Sequence, residues 1–141
     1  MIHKVHFYYG NRLRAFHAGL GVIVRALGHS IKSKIIFLDD SYSWIENMIS
    51  SEEIPIKILS IDNHHIVQEF LLKEINKIEK TILLIANIDL IVQHQVLKMN
   101  ELIHVLSRKK EQNEIILTSE KNYNEFEKFA DYVSSISVRK M

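Results

Sequence analysis

Six apolar runs of strand length punctuate the chain: "VHFYY", "KIIFL", "IKILSI", "TILLIA", "EIILT" and "YVSSISV". Most lack the strict polar alternation of a strand with one wet face, so they suit strands covered on both sides, as in a parallel sheet. The stretches between them carry helical spacing. From Asn63 to Lys80, Val67, Phe70, Leu71, Ile75 and Ile78 recur every three or four residues. Val92, Val96, Met99, Ile103 and Leu106 do the same between Ile91 and Lys110. Asn122–Ala130 reads as a shorter helix with Tyr123, Phe126, Phe129 and Ala130 inward. Strand alternating with helix predicts an α/β fold: an open, mostly parallel sheet of five or six strands with helices on both faces.

A chain of 141 residues, 47% apolar and 25% charged, fits one globular domain spanning residues 1–141. The single proline, Pro55, and four glycines confined to Gly10–Gly28 leave no low-complexity linker. A net charge of +1 gives no overall pull toward nucleic acid or membranes. The densest basic run, "SRKKEQ", is explained by the C-terminal end of a helix dipole, so no nucleic-acid partner is expected. No run approaches a membrane span, and "MIHKVHFYYG" lacks a signal peptide's apolar core, which makes a cytoplasmic location the expectation. The absence of cysteine removes disulfides, thiolate nucleophiles and cysteine-ligated zinc.

The opening residues raise the sharpest question. "YYGN" ends a strand, and "AGLGVIVRALGHS" reads as a helix with Leu20, Val24 and Leu27 on one side. Strand, glycine turn and helix in that order frame a phosphate loop, in which glycines expose consecutive N–H groups, a lysine neutralises phosphate and a hydroxyl holds Mg²⁺. "YYGN…AGLGVIVRALGHSIKSKIIFL" resembles the opening of the phosphate-loop corrinoid adenosyltransferases, roughly Y-T-G-N-G-K-G-K-T-T, then A-L-G-L-A-L-R-A-L-G-H-G and a strand. "TILLIANIDLI" falls at that family's D-L-V-I-L-D-E-L-N segment, and "NEIILTSEKNYNEFEKFADYVSSISVRK" follows its closing E-V-V-L-T-G-R, helix and A-D-L-V-T-E-M-R. The resemblance covers both ends and is thin from Ser41 to Glu79. It implies a phosphate-loop nucleotidase fold, ATP, Mg²⁺ and a corrinoid as ligands, adenosyl transfer to cobalt as the activity, and a homodimer by analogy.

Position by position, Gly10 and Asn11 match. Arg12, Leu13 and Arg14 stand where the family has glycine, lysine and glycine; Ala15 replaces the phosphate-binding lysine, and Phe16 and His17 the hydroxyl residues. Ala86 and Asn87 replace the acidic pair, and Asp89 the asparagine. The loop remnant is thus Gly10, Asn11, Arg12, Arg14 and His17. Arg12 and Arg14 at a helix start could rebuild an anion site through bidentate guanidinium contacts, or stand solvated. His17, near the same N-terminus, is favoured in its neutral form, able to donate to an anion or simply exposed.

Aspartates follow three runs: Asp39 and Asp40, Asp62, and Asp89. At the ligand-binding edge of a parallel sheet they could form an acidic edge holding a divalent cation, or serve as helix N-caps. The eight histidines give no metal pattern. His3 and His6 face opposite sides of a strand. His94 and His104, if on one helix, lie roughly 15 Å apart along its axis. "FYY" is expected to fill the core beside the first helix, and Tyr42 and Trp44 to pack on the sheet or cover a planar ligand. Three functions follow: a non-catalytic relative binding a corrinoid, an anion or a protein partner; a working adenosyltransferase on a rebuilt site; or an unrelated α/β interaction module.

Overall fold

In the computed structural model, residues 4–39, 54–77 and 79–137 are described. Tyr42 and Trp44, with Asp40 and His3, lie outside them. All six apolar runs form strands: β1 (Val5–Gly10), β2 (Ser33–Phe37), β3 (Ile56–Ile58), β4 (Ile82–Ala86), β5 (Glu114–Ser119) and β6 (Tyr132–Ile136). They make one sheet in the order β3-β2-β4-β5-β1-β6, with every pairing parallel. The expected open parallel α/β fold is present, with six strands.

Alternate residues of β1, β2, β4 and β5 feed two cores, as strands covered on both faces require. One face carries Val5, Phe7, Ile36, Leu38, Leu83, Ile85, Ile115 and Leu117. Against it pack α2 (His64–Ile75), the short α3 (Asp89–Gln93), α4 (Met99–Ser107) and α5 (Asn124–Phe129) through Val67, Leu71, Ile91, Leu102, Leu106 and Phe126. The other face carries Ile35, Phe37, Ile82, Leu84 and Ile116, covered by α1 (Arg12–Gly28) through Phe16, Ile23 and Ala26. "FYY" is therefore split: Phe7 and Tyr9 face away from α1, and only Tyr8 packs on its side.

Leu20 and Leu27 of α1 pack against this second core, and the two longer helices expected later in the chain need correction. The face of α1 toward the sheet is Ala15, Phe16, Gly19, Ile23 and Ala26, while Val24 is 54% exposed. Gly19 lets the helix lie close at its middle; a Cβ there would come within 2.9 Å of Leu84 Cδ1 and 3.2 Å of Ile116 Cγ2. The helix expected to run from Asn63 to Lys80 ends at Ile75, where the Asn76 amide side chain donates back to Leu72 O. The helix expected from Ile91 to Lys110 is two helices. Gln95 adopts φ +57 between them, and Gln68 Nε2 donates to Val96 O at 2.7 Å, so tertiary bonds replace the helical ladder there. His94 caps α3 and His104 lies in α4, so the one-helix spacing does not apply. Among the described residues no helix is long and apolar enough to cross a membrane.

Candidate functional site

The C-terminal ends of β1, β4 and β5 lie side by side, and their loops bring the loop remnant to Asp89. β1 ends at Gly10 and α1 begins at Arg12, so Asn11 alone joins them. The Asn11 side-chain oxygen accepts from Arg14 N at 3.1 Å, an N-cap that satisfies one of the first-turn donors. Gly10 has φ +127, and a Cβ there would fall on the Ile136 carbonyl. Its freedom serves the close passage of β6, where Asn11 N donates to Ile136 O at 2.9 Å. Every residue from Arg12 to His17 is consequently helical.

Within that helix the residues diverge. Ala15 and Phe16 are fully buried, and the Phe16 ring packs on Phe37 with centroids 5.4 Å apart. Arg14 and His17 are exposed. Arg12 turns back toward the sheet: Nη2 donates to Asp89 Oδ2 at 2.9 Å and Nε to Glu120 Oε2 at 3.1 Å. Asp89 is completely buried at the start of α3, and Gln93 Nε2 donates to the same Oδ2 at 3.2 Å. Burial raises the Asp89 pKa above its ordinary value; the Arg12 charge and the Asp89 and Glu120 backbone amides pull the other way without cancelling it. Asn87, at φ +58, donates its N–H to Thr118 Oγ1 at 3.0 Å, tying the end of β4 to β5. Asn87 Oδ1 and Asp89 Oδ1 have no hydrogen-bond partner among the described residues.

Of the aspartates that follow the strands, two share a cavity and a third is ion-paired. Asp39 and Asp62 line a cavity of about 490 Å³ beside β2 and β3, whereas Asp89 is engaged with Arg12. No three acidic or histidine side chains among the described residues could hold a metal ion. Nor does Asp62 cap α2: Asn63 does, its side chain accepting from Ile66 N at 3.4 Å. Asp40 lies outside the described residues.

Glu120 is the residue that reading the sequence overlooked. The closing pattern E-V-V-L-T-G-R laid on Glu114–Glu120 puts its arginine at Glu120, so the signal was a charge reversal in a motif already noticed. Glycine to Arg12, asparagine to Asp89 and arginine to Glu120 are three departures that meet in one ion-paired cluster.

A parallel sheet whose first strand runs through a glycine turn into a helix, with amide and acidic residues following the strand one place beyond its neighbour, is consistent with the phosphate-loop class of α/β folds. A family model described as ATP:corrinoid adenosyltransferase BtuR/CobO/CobP matches residues 3–141. The chain belongs to that family, and the reading as an unrelated interaction module falls. No curated protein matches the chain.

Proposed function

We propose that this chain is a member of the corrinoid adenosyltransferase family whose nucleotide edge is closed and which acts by binding rather than by adenosyl transfer, with a corrinoid as its ligand. One observation carries this reading: Arg12–His17 of the segment aligned with the phosphate loop already form the start of α1, and its inward-turning cation, Arg12, is ion-paired with Asp89 and Glu120. The residues present do not fit Mg·ATP. A phosphate cradle needs a run of unpaired N–H groups, and here one loop residue precedes the helix and caps it. The lysine position is a buried Ala15, and the hydroxyl position is a Phe16 ring inside the core. Two carboxylates around one guanidinium leave the edge unfavourable to triphosphate.

The convergence of three substitutions on one cluster supports a stable replacement of the site over piecemeal loss. The rival reading, a working transferase rebuilt on Arg12 and Arg14, requires Arg12 to abandon a buried carboxylate. Titration calorimetry with Mg·ATP separates the two, run on the native chain and on Arg12→Ala/Arg14→Ala. The native chain is expected to give no saturable heat at two temperatures. Tight binding abolished in the double variant would establish the rebuilt site and call for an adenosyl-transfer assay. Hydroxocobalamin without ATP is expected to change its visible spectrum saturably on adding the protein. A silent spectrum would turn the proposal toward a protein partner. The homodimer suggested by analogy belongs to the same proposal, and sedimentation reads it directly.

A further inference from the structure

At the edge of the sheet opposite Gly10 and Asp89, where β2 and β4 begin and α2 ends, lies a cavity of about 310 Å³. Lys34, Lys77 and Glu74 line its polar side, and Pro55 and Leu83 its apolar side. Glu74 is nearly buried, its side chain 5% exposed, and both oxygens are occupied: Lys34 Nζ at 2.9 Å from Oε1 and Lys77 Nζ at 3.0 Å from Oε2. Burial works against the ionised carboxyl, but the two lysines outweigh it and leave its pKa lowered, so Glu74 is an anion near neutral pH.

Two half-buried ammonium groups therefore share one carboxylate, which leaves an excess positive charge. Lys34 also lies over the Phe70 ring at 5.0 Å, and Lys57 adds a second cation 5.9 Å from the same ring. On the rim, Lys32 and Glu79 balance each other at 3.5 Å. The C-terminal dipole of α2 offsets part of the field without supplying a countercharge. Both ammonium groups stay within reach of solvent, their side chains 24% and 37% exposed, and each has three donors with only one committed to Glu74, so an anion entering the cavity meets donors able to receive it.

We propose that this cavity binds a small organic monoanion, a carboxylate, whose charged end sits between Lys34 and Lys77 and whose apolar body rests on Pro55 and Leu83. The site is independent of the nucleotide edge and stands whether or not that edge is closed. The two ends of the sheet thus have opposite electrostatic character: one guanidinium under two carboxylates at the C-terminal end, two ammonium groups on one carboxylate at the other.

The test is amide NMR on the full chain titrated with benzoate and, separately, with its uncharged relative benzyl alcohol. Benzoate is expected to shift the amides of Ser33, Lys34, Lys77 and Thr81 saturably, and benzyl alcohol to leave them in place. Lys77→Gln, a change at a partly exposed side chain, is expected to weaken benzoate binding about tenfold, the usual worth of a charge-assisted hydrogen bond. Lys34→Met tests the deeper ammonium. Should it fail to fold, the comparison of the two ligands on the native chain still decides. Equal shifts from both ligands, shifts centred on the start of α1, or benzoate affinity unchanged in Lys77→Gln would overturn the proposal.

Discussion

Arg12 is where sequence and fold part most sharply, and its removal has a calculable consequence. Asp89 is fully buried and loses its countercharge in Arg12→Ala. Removing one member of a buried pair is costly because the other stays desolvated, so the variant is expected to lose ~3 kcal/mol at neutral pH. Urea denaturation at falling pH sharpens the test: once Asp89 takes a proton the deficit should shrink, and a deficit that stays constant to acid pH would refute the pairing. Gly10→Ala probes the other half of the turn. With φ +127 and the Ile136 carbonyl in the way, it should cost about 3 kcal/mol, the scale of a backbone forced into a sparsely populated region. Unchanged stability in that variant would show that β6 does not hold the turn. The charge types at Arg12, Asp89 and Glu120 were all legible as letters. Their pairing was not, because 77 positions separate Arg12 from Asp89 and 108 separate it from Glu120.

At the scale of elements, two of the three glycines in α1 have opposite roles. Gly21 has open space around it, and Gly19 lies against Leu84 and Ile116. Gly21→Ala is expected to raise stability by about 0.5–1 kcal/mol, the helix-propensity difference, since nothing has to move. Gly19→Leu is expected to lower it by ~1–3 kcal/mol through overpacking against the sheet. Thermal unfolding of both variants checks the pair, and a loss at Gly21 would contradict the exposed face assigned to it. Strand runs were legible because each is a short apolar burst bounded by polar residues. In α1, periodicity marks Leu20, Val24 and Leu27 as readily as Phe16 and Ile23, and only the sheet beneath shows that Val24 points to solvent while Phe16, Gly19 and Ile23 lie inward. The break between α3 and α4 escaped for a related reason: apolar spacing continues through residues 94–98, while a bond from Gln68 ends the helix.

For the whole molecule, stability against pH reflects two buried carboxyl groups whose pKa values are shifted in opposite directions. Lys34 and Lys77 hold the Glu74 pKa below its ordinary 4.5 despite burial, so its contribution is present above that value and lost as pH falls through the lowered one. Asp89 has its pKa raised above 3.8, chiefly by burial. The folded state therefore binds its proton more tightly, a contribution present below the unfolded value and lost as pH rises through the folded one. Glu74→Gln is expected to flatten the acid limb of the stability curve, and Asp89→Asn to remove the fall toward neutral pH. If both variants keep the native curve's shape in urea titrations across the acid range, these two groups do not set it.

The amino-acid sequence by itself determined the open parallel sheet and the family, because six apolar runs of strand length alternating with helical stretches admit few other arrangements and the end motifs are local in the chain. It also determined the lost lysine and hydroxyls, which are matters of identity at a position. Only the tertiary structure decided what took their place. Whether Arg12 faces solvent, a phosphate or Asp89 depends on where β4 and β5 end relative to β1, and whether Lys34 and Lys77 share a carboxylate depends on how α2 returns to the sheet. Those distances are set by packing across the fold, which spacing along the chain does not encode.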